Sequence, residues 1–209
     1  MLTIVVVIVV FLILVLAEYL SRYKGVHSEL TRKLVHIVVG IFVAFWPFFL
    51  SWKQIQVMSV LFLLTVIVSV KLNIFRSIHA VKRNALGEVL FAMIIGILAL
   101  IVTSKWIFAA AMLHLSLADG LAAIVGVLWG DSNSYTVLGR RKSVAGSLTF
   151  LFTSMIIMLG YAVYSHAGHS VMAMVGLPVI ATIAENIAID GTDNLVMPLL
   201  VALMLTSSL

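Results

Sequence analysis

The sequence predicts an all-α fold: a polytopic integral membrane helical bundle of about eight transmembrane helices, or seven if the short last segment does not span. Three observations support it. The 209 residues are 63% hydrophobic and 10% charged, and their mean hydropathy is +1.23, which is more apolar surface than one water-soluble core can bury. The apolar residues form segments near the roughly 20 residues that a membrane-crossing helix needs. Basic residues cluster in alternate loops.

The apolar segments follow one another with short connections, so we expect a single transmembrane domain over residues 1–209. The first segment lacks the basic n-region and small-residue cleavage site of a secretory signal, and is predicted to be a retained span. The chain contains no cysteine, so any chemistry comes from oxygen and nitrogen groups. The eight segments are residues 2–20, 34–51, 54–72, 87–104, 106–129, 144–164, 170–189 and 193–207.

Lysine and arginine are distributed unequally between the loops. Eleven lie in the loops that follow odd-numbered segments, and only Lys53 and Lys105 lie in the others. The positive-inside rule makes the first set cytoplasmic and the N-terminus external. The net charge of +5 is therefore a topology signal, with some attraction to anionic headgroups, and does not indicate nucleic acid. The eleven are Arg22, Lys24, Arg32, Lys33, Lys71, Arg76, Lys82, Arg83, Arg140, Arg141 and Lys142.

Acidic residues gather on the same predicted cytoplasmic side. The outer loops around Lys53 and Lys105 contain no carboxylate, and the third outer loop offers only His166 and His169. A highly charged ligand that arrives from the cytosol is the natural inference. Besides Asp119, the acidic residues are Glu18, Glu29, Glu88, Asp131, Glu185, Asp190 and Asp193.

Asp119 lies within the fifth apolar segment, about 16 Å along an ideal helix from Gly130. An ionised carboxylate at that depth needs water, a partner or a metal. Its helix face carries Ser116, Ala122 and Gly126, which are small enough for a helix or a ligand to approach closely. A packing seam with a protonated or hydrogen-bonded aspartate is one interpretation. A functional carboxylate is favoured, because intramembrane acids usually mark functional sites.

The loop that follows ends in "LGRRKSVAGS". Arginine pairs bidentately with phosphate oxygens and Lys142 is a point-charge partner. Ser143 stands where a helix begins, so its hydroxyl and the first-turn N–H groups add donors. A positive-inside anchor would explain the loop alone, but its pairing with Asp119 favours a phosphate site. The "KS" pair does not belong to a Walker A loop, because the required glycine spacing is missing.

Two further constellations point to the same side. In "TRKLVHIVVG", Arg32, His36 and Gly40 share a helix face, so His36 serves either helix packing or function. Near the C-terminus, carboxylate and amide oxygens are of the kind that Mg²⁺ prefers, although Asp190 is also typical of an ordinary turn. The candidate metal ligands are Asp119, Glu185, Asp190, Asp193 and Asn194.

These motifs carry a family resemblance. "RKLVHIVVG", "LADGLAAIVGVLWG" followed by "RRKSVAGSLTF", and "ENIAIDGTDNLVMPLL" resemble the dolichol (polyprenol), phytol and yeast-type diacylglycerol kinases, which are related to the phosphatidate cytidylyltransferases. The resemblance covers about residues 31–200. It implies an integral-membrane kinase that phosphorylates a lipid alcohol, commonly with CTP and a divalent cation. The sequence lacks the long N-terminal membrane region of large dolichol kinases, which leaves the acceptor open between polyprenol or dolichol, the favoured choice, and diacylglycerol or phytol. The matching positions are Arg32, Lys33, His36, Asp119, Gly120, Lys142, Ser143, Gly146, Ser147, Glu185, Asp193 and Asn194.

The resemblance also implies roles for these residues. Phosphoryl transfer depends mainly on positioning and charge neutralisation, and either Asp119 or His36 could take the proton of the lipid hydroxyl. Mg²⁺ or another divalent cation would be held by Asp119, Glu185, Asp193 and Asn194. The predicted nucleotide-binding residues are Arg32, Lys33, Arg141, Lys142, Ser143, Gly146 and Ser147.

Two other functions compete with this prediction. A cytidylyltransferase that makes a CDP-lipid would use the same nucleotide and metal, but this C-terminus lacks the acidic and Gly/His-rich signature of that family. An ion-coupled transporter would continue its polar path to the outer side, where this sequence is nearly all apolar. The sequence leaves a homodimer open. We therefore expect a multi-pass protein with its active site on the cytoplasmic face.

Overall fold

The computed structural model describes residues 2–24, 28–72, 86–166, 171–188 and 191–207. The predicted loop or site residues Arg76, Lys82, Arg83, His169 and Asp190 lie outside these ranges. The described residues form eight α-helices, so the mostly helical fold class is confirmed. The helices are α1 Leu2–Lys24, α2 Ser28–Ala44, α3 Trp52–Leu72, α4 Leu86–Ile101, α5 Lys105–Trp129, α6 Val144–Ser165, α7 Val171–Ile187 and α8 Asp193–Ser207.

Each helix coincides with a predicted apolar segment, but not all of them have the length of a membrane span. Within the described ranges, α3, α5 and α6 are long and apolar enough to cross a membrane, whereas α4, α7 and α8 are shorter apolar helices. The count of seven or eight spans therefore stays a prediction. The predicted second segment, 34–51, is wrong at both ends. Helix α2 begins at Ser28 and stops at Ala44, ahead of a 3₁₀ turn that contains Pro47, because proline disfavours helix in the residues before it.

Helix α5 is the centre of the bundle and packs against α2, α6 and α8, while α3 packs on α4 and α1 on α2. The contact with α2 is close because two glycines face larger side chains. A Cβ at Gly40 would lie 2.1 Å from Ser116 Cβ, and one at Gly120 would lie 2.3 Å from Ile37 Cγ1. Small residues of this kind let two backbones approach each other. The second half of α2 is thereby held beside the middle of α5.

A π-helical turn, His114–Ala118, interrupts α5 immediately before Asp119. The N–H of Asp119 donates to the carbonyl of His114, five residues back. His114 is fully buried, and its Nδ1 donates to Ala110 O at 2.8 Å while Nε2 lies 2.7 Å from Ser154 Oγ. Because a carbonyl can only accept, Nδ1 carries the proton and Nε2 accepts from Ser154 on α6. Such bulges are frequent at functional sites, and this one lies directly before Asp119.

The loop between α5 and α6 forms an antiparallel β-hairpin, which the sequence did not predict. Strand β1, Ser134–Val137, pairs with β2, Arg140–Ser143, so that Tyr135 lies opposite Lys142. Leu138 and Gly139 form the tip, both with positive φ, as a two-residue hairpin turn of this kind requires. The basic loop is therefore a paired hairpin and not an open connection.

The opposite end of the bundle is aromatic. The rings of Phe48 and Trp106 lie 4.6 Å apart, and Trp106 stacks on Tyr164 at 5.6 Å. Tryptophan and tyrosine favour the membrane–water interface because one part of the ring is apolar and the other polar. This aromatic group therefore lies at the end of the bundle opposite to the hairpin.

Candidate active site

Asp119 forms an ion pair with Lys33, which reaches across from α2. Lys33 Nζ lies 2.7 Å from Asp119 Oδ2, and the two side chains are 13% and 6% exposed. An ionised carboxylate at this depth needs a compensating charge, because burial in a low-dielectric interior is costly for an isolated ion. The sequence predicted that Asp119 needs a partner but had placed Lys33 only among the nucleotide-binding residues.

His36 lies one turn after Lys33 on α2 and contacts the same part of α5. Its Nε2 lies 3.2 Å from Leu115 O, and its ring packs on Phe91 with centroids 4.8 Å apart. Because the carbonyl oxygen is an acceptor, Nε2 carries a proton in this arrangement. His36 therefore fixes the helix pair and presents only Nδ1 as a basic nitrogen.

A second buried ion pair joins the hairpin to α7. Lys142 Nζ lies 2.5 Å from Glu185 Oε1 and also donates to the backbone oxygen of Glu185 at 3.0 Å. Glu185 is nearly buried at 7% exposure. The charge of Lys142 acts on Asp119, and the charge of Asp119 acts on Glu185. The two ion pairs therefore belong to one electrostatic group.

Ser143 and Gly146 hold the base of the hairpin against α5. Ser143 Oγ caps α6 by accepting from Gly146 N at 3.0 Å, which is the ordinary role of a serine at that position. A Cβ at Gly146 would lie 3.0 Å from Ala122 O, and one at Gly130 would lie 2.8 Å from Ser143 Cβ. Of the small residues on the Asp119 face, Ala122 and Gly126 therefore serve the approach of α5 to α6, whereas Ser116 faces α2.

Three polar groups beside Lys142 form a network in which the sequence had singled out only Ser147. The hydroxyl of Tyr135 lies 2.6 Å from Ser147 Oγ and 2.5 Å from Asn186 Oδ1. Ser147 Oγ is 3.1 Å from the same Asn186 oxygen. Tyr135 and Asn186 were missed. Only two signals in the sequence could have indicated them. Asn186 is next to Glu185, and Tyr135 lies in the loop that carries the basic residues.

The predicted metal ligands of α8 lie at the edge of this group. Asp193 is within electrostatic range of Asp119, Lys33 and Lys142, and its Oδ1 accepts from Asn194 N at 3.0 Å. Asn194 Nδ2 donates to Gly87 O at 2.6 Å, which joins α8 to the start of α4. Within the ranges that the structure describes, no three histidine or acidic side chains are close enough to form a metal site by themselves.

Two predicted phosphate-binding arginines lie outside the two buried pairs. Arg141 binds Asp131 at 2.9 Å, with side chains 63% and 92% exposed. The charge of Arg32 acts on His36 and on Glu88, at the start of α4. The structure thus gathers Lys33, His36, Asp119, Lys142 and Glu185 with Asp193 nearby, and does not bring Arg141 to them.

The group suits the binding of a ligand that carries both signs of charge. Lys33 and Lys142 can donate to phosphate oxygens, and Asp119, Glu185 and Asp193 supply hard oxygen ligands for a divalent cation. The donors come from α2, α5, α7, α8 and the hairpin, all at the predicted cytoplasmic end. Such a site holds a charged group at the end of the helices while the apolar walls of the bundle continue beyond it.

Comparison with known proteins agrees with this chemistry. The chain is 34% identical to the phytol kinase of Synechocystis sp., in an alignment that covers 88% of this chain and 81% of the kinase. It is 28% identical to the uncharacterized protein RP860 of Rickettsia prowazekii, over 82% of this chain and 90% of that protein. No family model matches the sequence, and no solved structure matches it. The extent of the match to the Synechocystis enzyme shows that the chain belongs to the phytol kinase family of membrane lipid-alcohol kinases.

Proposed function

We propose that the protein transfers the terminal phosphoryl group of CTP to the hydroxyl of an isoprenoid alcohol. Family membership supports the kinase reaction, and the name of the Synechocystis relative makes phytol the first acceptor to test. Polyprenol and dolichol share with phytol a hydroxyl at the end of a branched hydrocarbon chain. The choice of CTP as the phosphoryl donor rests on the motif resemblance described above. The alcohol would arrive laterally from the membrane and the nucleotide from the cytosol.

The observation that carries this proposal is the pair of lysine–carboxylate contacts at one end of the bundle. In each of the two pairs a lysine neutralises the buried carboxylate beside it. A nucleoside triphosphate with its cation also carries both signs of charge, negative on the phosphates and positive on the cation. Its phosphates would bind Lys33 and Lys142, and its cation would bind the Glu185 carboxylate that Lys142 releases. Binding then replaces internal ion pairs by new ones.

The carboxylates fit Mg²⁺, although they do not form a complete cage. Mg²⁺ is usually held by one or two carboxylates, with waters and substrate phosphates as its other ligands. Glu185 and Asp193 would hold the ion together with the nucleotide. When bound, it would neutralise charge on the transferred phosphoryl group.

Asp119 is our choice for the group that takes the proton of the lipid hydroxyl. It is only 4% exposed, and its ion pair with Lys33 holds it beside α2. His36 is the weaker candidate because its Nε2 proton is committed to Leu115 O. Once Lys33 binds phosphate, the carboxylate of Asp119 would be left with an acceptor oxygen for the alcohol proton. A general base of this kind contributes typically 10²–10⁴-fold to a rate.

Product analysis tests the function. Purified protein in lipid nanodiscs is supplied with Mg²⁺, with labelled CTP, ATP, GTP or UTP, and with phytol, polyprenol, dolichol or diacylglycerol. We expect a lipid monophosphate and CDP, with an isoprenoid alcohol as the acceptor. A CDP-lipid with pyrophosphate would identify a cytidylyltransferase instead. Turnover with diacylglycerol alone would overturn the isoprenoid assignment, and faster turnover with ATP would overturn the donor.

The cytoplasmic placement of the site is tested by cysteine labelling, which is clean because the chain has no native cysteine. Ser134, in the hairpin, and Thr103, between α4 and α5, are both exposed and lie at opposite ends of the bundle. An impermeant thiol reagent should modify Ser134→Cys only from the cytosolic side and Thr103→Cys only from outside. Labelling of Ser134→Cys from outside would place the basic hairpin on the wrong side for a cytosolic nucleotide.

A further inference from the structure

A cluster of three oxygens lies beside Lys142, where the hairpin meets α6 and α7. It consists of the hydroxyls of Tyr135 and Ser147 and the amide oxygen of Asn186, each within 3.1 Å of the other two. The three side chains are half-buried. The orientation of the Asn186 amide follows from its nitrogen, because Nδ2 donates to Thr182 O at 2.8 Å. That carbonyl can only accept, so the amide oxygen must face the two hydroxyls.

This cluster has fewer hydrogens than contacts. Tyr135 and Ser147 each supply one hydroxyl hydrogen, and the amide oxygen supplies none. Two hydrogens can serve only two of the three oxygen–oxygen contacts, so one contact always brings lone pairs together. Close polar groups without a shared hydrogen repel each other, and in a half-buried place water screens that repulsion poorly. A further N–H or O–H donor directed at the cluster would remove the deficit.

The position of the cluster suggests which donor that is. Tyr135 is the cross-strand neighbour of Lys142 in the hairpin, and Asn186 directly follows Glu185 on α7. Adjacent residues of the hairpin therefore contact adjacent residues of α7, the lysine through charge and the tyrosine through its hydroxyl. A nucleotide whose phosphates bind Lys142 would have its nucleoside close to this second contact.

The geometry points to a base-recognition site: the oxygens of Tyr135, Ser147 and Asn186 bind the exocyclic amino group of the nucleobase. This inference rests on the proposed nucleotide-dependent function. Cytosine carries an amino donor at its 4-position, whereas uracil carries a carbonyl acceptor there. The amino group would donate into the oxygen cluster, and the carbonyl would add a fourth acceptor to it. Adenine also carries an exocyclic amine, so the cluster separates amino-bearing bases from uracil and does not by itself separate CTP from ATP.

Binding of nucleotides to the purified full chain, measured by equilibrium binding without a lipid acceptor, tests this inference. Wild-type protein should bind CTP at least about tenfold more tightly than UTP, because a site built for a donor leaves its polar groups unpaired when the donor is missing. Tyr135→Phe removes one oxygen and one hydrogen and leaves a single satisfied Ser147–Asn186 contact. We expect that variant to lose most of the preference for CTP. Ser147→Ala should act in the same direction and guards against a folding defect in the first variant.

Tyr164→Phe is the matched control, because Tyr164 is an exposed tyrosine whose ring stacks on Trp106 at the other end of the bundle. It should keep the wild-type ratio of CTP to UTP affinity. A purely structural role of the cluster would weaken both nucleotides equally and would overturn the inference, as would equal binding of CTP and UTP or no nucleotide binding by wild-type protein. Preference for CTP without lipid phosphorylation would instead refute the kinase proposal and leave the base site standing.

Discussion

Arg141 and Lys142 are consecutive residues of one strand and have opposite environments. Arg141 points outward to Asp131, in a pair whose side chains are 63% and 92% exposed. Lys142 points inward to Glu185, in a pair whose side chains are 23% and 10% exposed. The alternation of a β-strand causes the difference, since successive side chains leave on opposite faces. In an open loop, both bases could have faced the same ligand.

The comparison separates two reasons for placing a positive charge at a membrane surface. An exposed ion pair gains little, because water and salt screen it. A buried pair is costly to form and costly to break, so its presence is better explained by function than by stability. The positive-inside pattern counts every lysine and arginine equally, so it cannot distinguish an exposed base from a buried one. The structure distinguishes them by the direction of the side chain.

The largest effect should follow from Asp119→Asn, which removes the deepest buried charge. We expect turnover of the lipid kinase to fall by at least about 100-fold, because a base or charged ligand contributes on this scale in the transition state. The measurement is the turnover number at saturating nucleotide and alcohol, with thermal unfolding as the check on folding. Near-normal turnover in a folded variant would remove Asp119 from the mechanism.

A smaller effect is expected for Lys142→Ala. One charge-assisted contact to a phosphate is worth about 1.5–3 kcal/mol, which corresponds to roughly a 10- to 150-fold weaker nucleotide affinity. The affinity for the lipid alcohol should stay nearly unchanged. If the apparent affinity for the alcohol changed and that for the nucleotide did not, Lys142 would have to be assigned to the lipid headgroup.

Apolar segment length was enough to predict the helices, because a bundle in lipid must bury long apolar runs in hydrogen-bonded helices. It could not predict the hairpin, whose strands are four residues each and carry three consecutive bases in place of an apolar alternation. Segment length also could not predict the π turn before Asp119. Its first residue, His114, is hydrogen-bonded to Ser154, which is far away in the sequence.

The site was predictable in its residue types and not in its pairing. Asp119, Lys142 and Glu185 were candidates because charges near apolar segments are expensive and stand out, and Lys33 was a candidate through the family resemblance. Which lysine meets which carboxylate depends on helix packing, and in particular on the contact of Gly40 and Gly120 with their neighbours. Tyr135 and Asn186 carry no charge, so composition gave no reason to select them.

A double-mutant cycle measures the difference between the two ion pairs directly. Lys142→Met leaves Glu185 buried without its partner, and adding Glu185→Gln should recover part of the lost stability. We expect a coupling energy of about 1–3 kcal/mol for this pair and below about 1 kcal/mol for Arg141→Met with Asp131→Asn. Reversible unfolding in detergent gives both values. Equal coupling in the two cycles would show that burial does not distinguish the pairs.

The smallest effect should follow from Arg141→Ala. Its guanidinium is exposed and its partner Asp131 is almost fully exposed, so loss of the pair leaves no buried charge and costs at most about 1 kcal/mol of stability. If Arg141 serves the charge balance of the membrane surface, the affinity for CTP should change by less than about twofold, and the small effect should shrink further as salt is raised. A loss of affinity as large as that of Lys142→Ala would instead mean that Arg141 turns toward the nucleotide phosphates, as the sequence alone had predicted. The same assay thus decides whether the hairpin binds with one face or with both.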